Sequence, residues 1–152
     1  MSNQAYQKKM KSLQWIYVAF IVNLLIVLGF CYYLDFGLDE DLNEIFKLVI
    51  PASSLLLIIL SHYIPREIIK KAKSKELDTK YNRYFSANIL KWMLLEIAAL
   101  LNAMALGLTD DKLYLFISAA IIALMVMQKP DHKKMAHELE LSEEEINKIS
   151  NT

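Results

Sequence analysis

Four apolar runs, at residues 14–34, 45–64, 87–108 and 112–128, alternate with segments whose basic residues fall almost entirely on one side of the pattern. A helix rises 1.5 Å per residue and the hydrocarbon core of a bilayer is roughly 30 Å thick, so one crossing needs about 20 apolar residues. The first three runs reach that length. The fourth is short, but Tyr114 and the flanking Lys112, Gln128 and Lys129 suit the interfaces, so it is expected to cross with little tilt or with local thinning. No run alternates polar with apolar residues, which excludes a β-barrel. With 55% hydrophobic residues and a mean hydropathy of +0.27 over 152 residues, the chain is too apolar for a soluble domain of its size. The expected fold is all-α: an integral membrane four-helix bundle of two helical hairpins over residues 1–128, followed by a helical tail at 129–152.

Formal net charge is zero, but the charges are segregated. Of 17 Lys and Arg, all but Lys47 and Lys112 lie in the N-terminal arm, the 65–91 connection or the tail. The positive-inside rule then puts both termini and the central connection in the cytoplasm. The first outer loop adds Asp35, Asp39, Glu40, Asp41 and Glu44, in agreement with that orientation. Lys8, Lys9 and Lys11 ahead of an apolar run suggest a secretory signal, but the run of about 19 residues exceeds a signal core and no small-x-small cleavage site follows it. Phe30 before Cys31 stands where a lipoprotein signal needs a small residue, so Cys31 is read as an unmodified residue of the first helix. A lone cysteine forms no internal disulfide.

Leu13-Gln14-Trp15 and Leu90-Lys91-Trp92 open the first helix of each hairpin alike, and Pro65 with Lys70 and Lys71 resembles Pro130 with Lys133 and Lys134. Two origins fit: duplication of a hairpin, or convergence, since interfacial Trp and Pro-plus-Lys beyond a helix end are common to membrane helices. Residues 66–76 contain no breaker and are expected to extend the second helix past the membrane, with kinks at Pro51 and Pro65. Lys70, Lys71, Lys73 and Lys75 offer an anionic-lipid dock, or serve only as topogenic charge. Nothing in the pattern calls for nucleic acid.

The residues that hydrocarbon should reject carry the most information. Glu96 lies about seven residues into the third run, roughly 10 Å below the surface. No lysine of its own helix reaches it at i, i+4, so it is expected to face the bundle, paired or uncharged. Asn23, Ser54 and Ser118 fall near the midplane and His62 nearer the cytoplasm, so a cluster of Asn23, Ser54 and Glu96 with His62 beyond it is geometrically open to the chain. Ala99, Ala103 and Gly107 form a small-residue stripe suited to close helix packing.

In the tail, Ser142 and Glu145 have capping-box spacing, and Met135 with Leu139 and Ile146 with Ile149 give short apolar edges. Helices this short need a surface to lie on. The acidic run 138–145 points to the basic 66–83 segment as that surface. His132 and His137 have neither the spacing nor the neighbours of metal ligands, and no cofactor motif is present. The sequence Lys129-Pro130 followed by His137-Glu138-Leu139-Glu140-Leu141-Ser142-Glu143-Glu144-Glu145 resembles the cytoplasmic tails of small bacterial inner-membrane proteins; the resemblance implies that membrane and no activity.

An enzyme is not expected, because the runs hold no paired acids, no metal cluster and no nucleophile beside a base. The expected function is that of an assembly or accessory subunit, acting through helix association with itself or a larger membrane partner. The alternative is a small proton- or ion-coupled transporter or channel using Glu96.

Overall fold

The computed structural model describes residues 2–34 and 40–150. Asp35 and Asp39 of the acidic loop lie outside them, as do residues 151–152. The described residues form six helices: α1 (Asn3–Tyr32), α2 (Glu40–Ala72), α3 (Leu77–Thr109), α4 (Lys112–Val126), α5 (His132–Glu138) and α6 (Glu143–Ser150). Three helices are long and apolar enough to cross a membrane: α1, α2 and α3. The fourth apolar run forms a helix of 15 residues, about 22 Å long, because Met127 already caps it.

The long helices overshoot a bilayer. At 30, 33 and 33 residues they extend about 45–50 Å, some 15–20 Å more than a hydrocarbon core. The excess gathers at one pole, where the basic residues are, and the N-terminal arm there is helix from Asn3 onward. Its Tyr6, Met10, Leu13 and Tyr17 recur at spacings of four, three and four, one face of a helix, and all four are buried. Against them pack Ala72 at the end of α2, Tyr81 and Tyr84 at the start of α3, and Met135, Leu139 and Ile149 of the tail. The Tyr81 hydroxyl donates to the Tyr6 carbonyl (2.8 Å), and Gln7 Nε2 donates to the Ile149 carbonyl (2.7 Å). The tail therefore completes a core that also includes Trp92, Leu95 and Ile121.

α3 is the centre of the arrangement: α1, α2 and α4 pack on it, while α1 and α2 barely meet. α2 runs through Pro51 and Pro65 as one helix to Ala72, and a turn at 73–76 leads directly into α3. Near the prolines, side chains bind main-chain carbonyls: Ser54 Oγ donates to Ile50 (2.8 Å) and Ser61 Oγ to Ile58 (2.7 Å). Between α3 and α4, Asp110 takes a left-handed conformation (φ 51°) and donates its N–H to the Leu106 carbonyl, while Asp111 caps α4 through Leu113 N–H. The parallel between the two hairpins does not extend to their environments. Trp15 is 75% exposed whereas Trp92 is fully buried against Tyr17 and Phe20, and Pro65 lies within a helix whereas Pro130 lies between two.

The tail is fastened by charge as well as by apolar packing. Glu145 accepts from the Ser142 main-chain N–H at 2.9 Å, and Ser142 Oγ accepts from the Glu145 N–H at 3.3 Å, the reciprocal pair of a capping box. The same carboxylate takes Lys80 Nζ on both oxygens, at 2.8 and 2.9 Å. Glu140, left-handed after the end of α5, accepts from Lys73 at 2.6 Å. Replacing Lys80 by Met is expected to cost about 2 kcal/mol, below the ~3–5 kcal/mol of a fully buried pair because Glu145 keeps 20% of its side chain exposed. Thermal unfolding in detergent reads this directly, and a loss below about 0.5 kcal/mol would mark the pair as a surface contact.

The pH dependence has a definite sign. Burial works against the Glu145 charge, but hydrogen bonds from Lys80 and Ser142 outweigh it and lower the pKa; the Lys73 hydrogen bond lowers that of Glu140. Both carboxylates therefore stabilise the docked tail above the ordinary glutamate range near pH ~4.3, and that contribution fades as pH falls through their lowered values. Energy transfer between dyes placed on the tail and on α3, read at each pH from 6 down to 3, should fall only on the acid side of that range.

Candidate functional site

The polar residues of the apolar helices form separate pairs on different faces of α3. Asn23 Nδ2 donates to Glu96 Oε1 at 2.7 Å between α1 and α3. Ser54 meets Asn102 instead, whose Nδ2 donates to its hydroxyl at 2.6 Å between α2 and α3. Ser118 Oγ donates to the Ala99 carbonyl at 3.3 Å between α4 and α3. His62 lies 3.5 Å from Gln128 Nε2 and bonds the Ile58 carbonyl within its own helix. The expected single cluster of Asn23, Ser54, Glu96 and His62 is thus divided. The reason is helical: Glu96 and Asn102 are six residues apart, about 120° around the helix, so their partners belong to different neighbours. Asn102, fully buried, and Gln128, 8% exposed, are the partners that the expected cluster did not include.

Small side chains set the close contacts. Ala99, Ala103 and Gly107 are buried, and a Cβ placed on Gly107 would lie 3.3 Å from the Cys31 carbonyl oxygen, so α1 and α3 approach closely at this end. A neighbouring face of α3, about 100° round the helix from this stripe, is open. Met93, Ile97 and Met104 are 44–57% exposed on one helical face, in the gap left where α1 and α2 diverge. Glu96 stands at the α1 edge of that gap, half-buried, and its partner Asn23 is exposed. Glu96 therefore faces the bundle surface rather than its interior. Ile26 and Phe30, both 65% exposed, continue the α1 side.

A cleft of about 670 Å³ opens at the basic pole, between the end of α2, the start of the apolar part of α3, and α5. Four cations line it: Arg66, Lys70, Lys73 and Lys91. His62, Asn88 and His137 and the carboxylates of Glu67, Glu138 and Glu140 complete its polar wall. Of the lysines expected to form a basic dock, Lys70 and Lys73 line the cleft, while Lys71 and Lys75 are exposed outside it. His132 is half-buried and does not line the cleft, and among the described residues no three His, Cys, Asp or Glu side chains are grouped as metal ligands.

Comparison with protein-family models, with curated proteins and with solved structures gives no match to this chain.

Proposed function

We propose that this chain is a four-helix inner-membrane module with both termini in the cytoplasm, and that it works as an assembly or accessory subunit through helix–helix association. The observation that carries the reading is the Asn23–Glu96 hydrogen bond on an uncovered face of apolar helices. Hydrocarbon solvates neither group, so a polar pair at a lipid-facing surface is costly until another helix covers it. The pair leaves one Glu96 oxygen and the Asn23 carbonyl oxygen for donors supplied by a partner. The open strip of Met93, Ile97 and Met104 beside it supplies the adaptable apolar contact for such a helix. The division of the polar residues into separate pairs supports packing over an ion path, which needs successive polar sites along one route.

Met93→Cys, cross-linked in native membranes, tests the association. A discrete adduct is expected, a second copy or a larger protein according to its intact mass, and recovery of monomer alone would end the reading. In that background Glu96→Gln should keep adduct formation within about twofold. Glu96→Leu should weaken association by roughly 1 kcal/mol, about fivefold.

A further inference from the structure

We propose that the cleft at the basic pole binds the phosphate headgroup of an anionic phospholipid, held by Arg66, Lys70 and Lys91, with the tail carboxylates Glu138 and Glu140 as tethered competitors. The first support is an imbalance of partners. Lys73 is engaged by Glu140, but among the described residues Arg66, Lys70 and Lys91 have no carboxylate within ion-pair distance. Lys91 is half-buried and lies within electrostatic reach of Arg66 and Lys134 as well as of Glu138. With Lys73 taken by Glu140, Arg66, Lys70 and Lys91 share the cleft with only Glu67 and Glu138, and a phosphate takes up the remaining positive charge. Arg66 offers a planar fork for two phosphate oxygens, and the two lysines offer point charges around it.

Depth favours a lipid over a free ion. Pro65 and Arg66 directly follow the apolar run of α2, and Ala87, Asn88 and Lys91 begin that of α3, so the cleft straddles the headgroup level if these helices cross a bilayer. Pro65, Ile69 and Ala87 give the lining an apolar part beside its charges. The site is also built partly from the tail. His137, Glu138 and Glu140 line it, and the Lys73–Glu140 contact places one carboxylate where it competes with an arriving phosphate. The inference rests on the membrane reading but not on association through Asn23 and Glu96, which cross-linking reads separately.

The test is lipid binding to the full chain in detergent, followed by native mass spectrometry with phosphatidylglycerol and phosphatidylcholine of equal chain length. The expected result is one phosphatidylglycerol held preferentially. Arg66→Gln and Lys70→Gln, both at exposed positions, should each weaken it about fivefold. Lys71→Gln and Lys75→Gln, outside the cleft, should leave it within twofold. Glu140→Gln should tighten binding, which general loss of folding cannot do. Equal losses from all four basic variants would mean diffuse charge and overturn the site. Equal retention of both lipids, or displacement of phosphatidylglycerol by millimolar inorganic phosphate, would overturn the lipid assignment.

Discussion

Deleting residues 131–152 is expected to make the 70–83 segment the fastest site of tryptic cleavage and to lower thermal stability sharply. Met135, Leu139 and Ile149 are at most 3% exposed, and each contributes about 1.5–3 kcal/mol through burial outside the apolar belt. Their loss also uncovers Tyr6, Met10, Tyr81 and Tyr84, and leaves Gln7 and Lys80 without their tail partners. Lys70, Lys71, Lys73, Lys75, Lys80 and Arg83 then lie on helix ends whose packing has gone, and local opening is what a protease requires. Digestion of full-length and truncated protein side by side checks this. Identical cleavage rates in the two would show that the tail lies on the core without supporting it.

Trp92→Ala is the point substitution with the largest expected cost, about 3 kcal/mol. Its ring is fully buried, with centroids 5.3 Å from Tyr17 and 6.3 Å from Phe20. In a soluble core the range is about 3–5 kcal/mol. Lipid tails are as apolar as the core, so part of the transfer term is absent here, and the cavity and lost ring contacts make up most of the effect. Trp15→Ala, at a position 75% exposed, should stay within about 0.5 kcal/mol. Unfolding followed by circular dichroism in one detergent compares the two. Equal losses would refute the asymmetry between these similarly placed tryptophans.

The sequence carried the local features because each is decided within a few residues. Apolar length located the three long helices, since an unpaired backbone is intolerable in hydrocarbon and a helix satisfies its own groups. The Ser142–Glu145 spacing located the start of α6, as capping is a contact between neighbours in the chain. Charge opposition matched the acidic tail to the basic connection, where Lys73 meets Glu140 and Lys80 meets Glu145. The helical arm at residues 3–13 was not read from the sequence, although Tyr6, Met10, Leu13 and Tyr17 follow helical spacing. The interleaved Lys8, Lys9 and Lys11 obscured it, because hydropathy averaged over a window hides a stripe that periodicity reveals.

The candidate sites were legible only in part. Depth along each run identified Glu96, Asn23, Ser54 and Ser118 as notable, but depth is one coordinate of three. The rotation of α3 decided that Asn23 meets Glu96 while Ser54 meets Asn102. The cleft was beyond reach for the same reason: Arg66, Lys91 and Glu140 are brought together by the α2–α3 hairpin and the fold-back of the tail. Apolar length, charge segregation and capping chemistry alone thus determined that this chain is helical, where its long helices run and which segments attract. Only the tertiary structure decided that α3 is central and that one of its faces stays open, because the meeting of helix faces depends on side-chain packing between segments far apart in the chain.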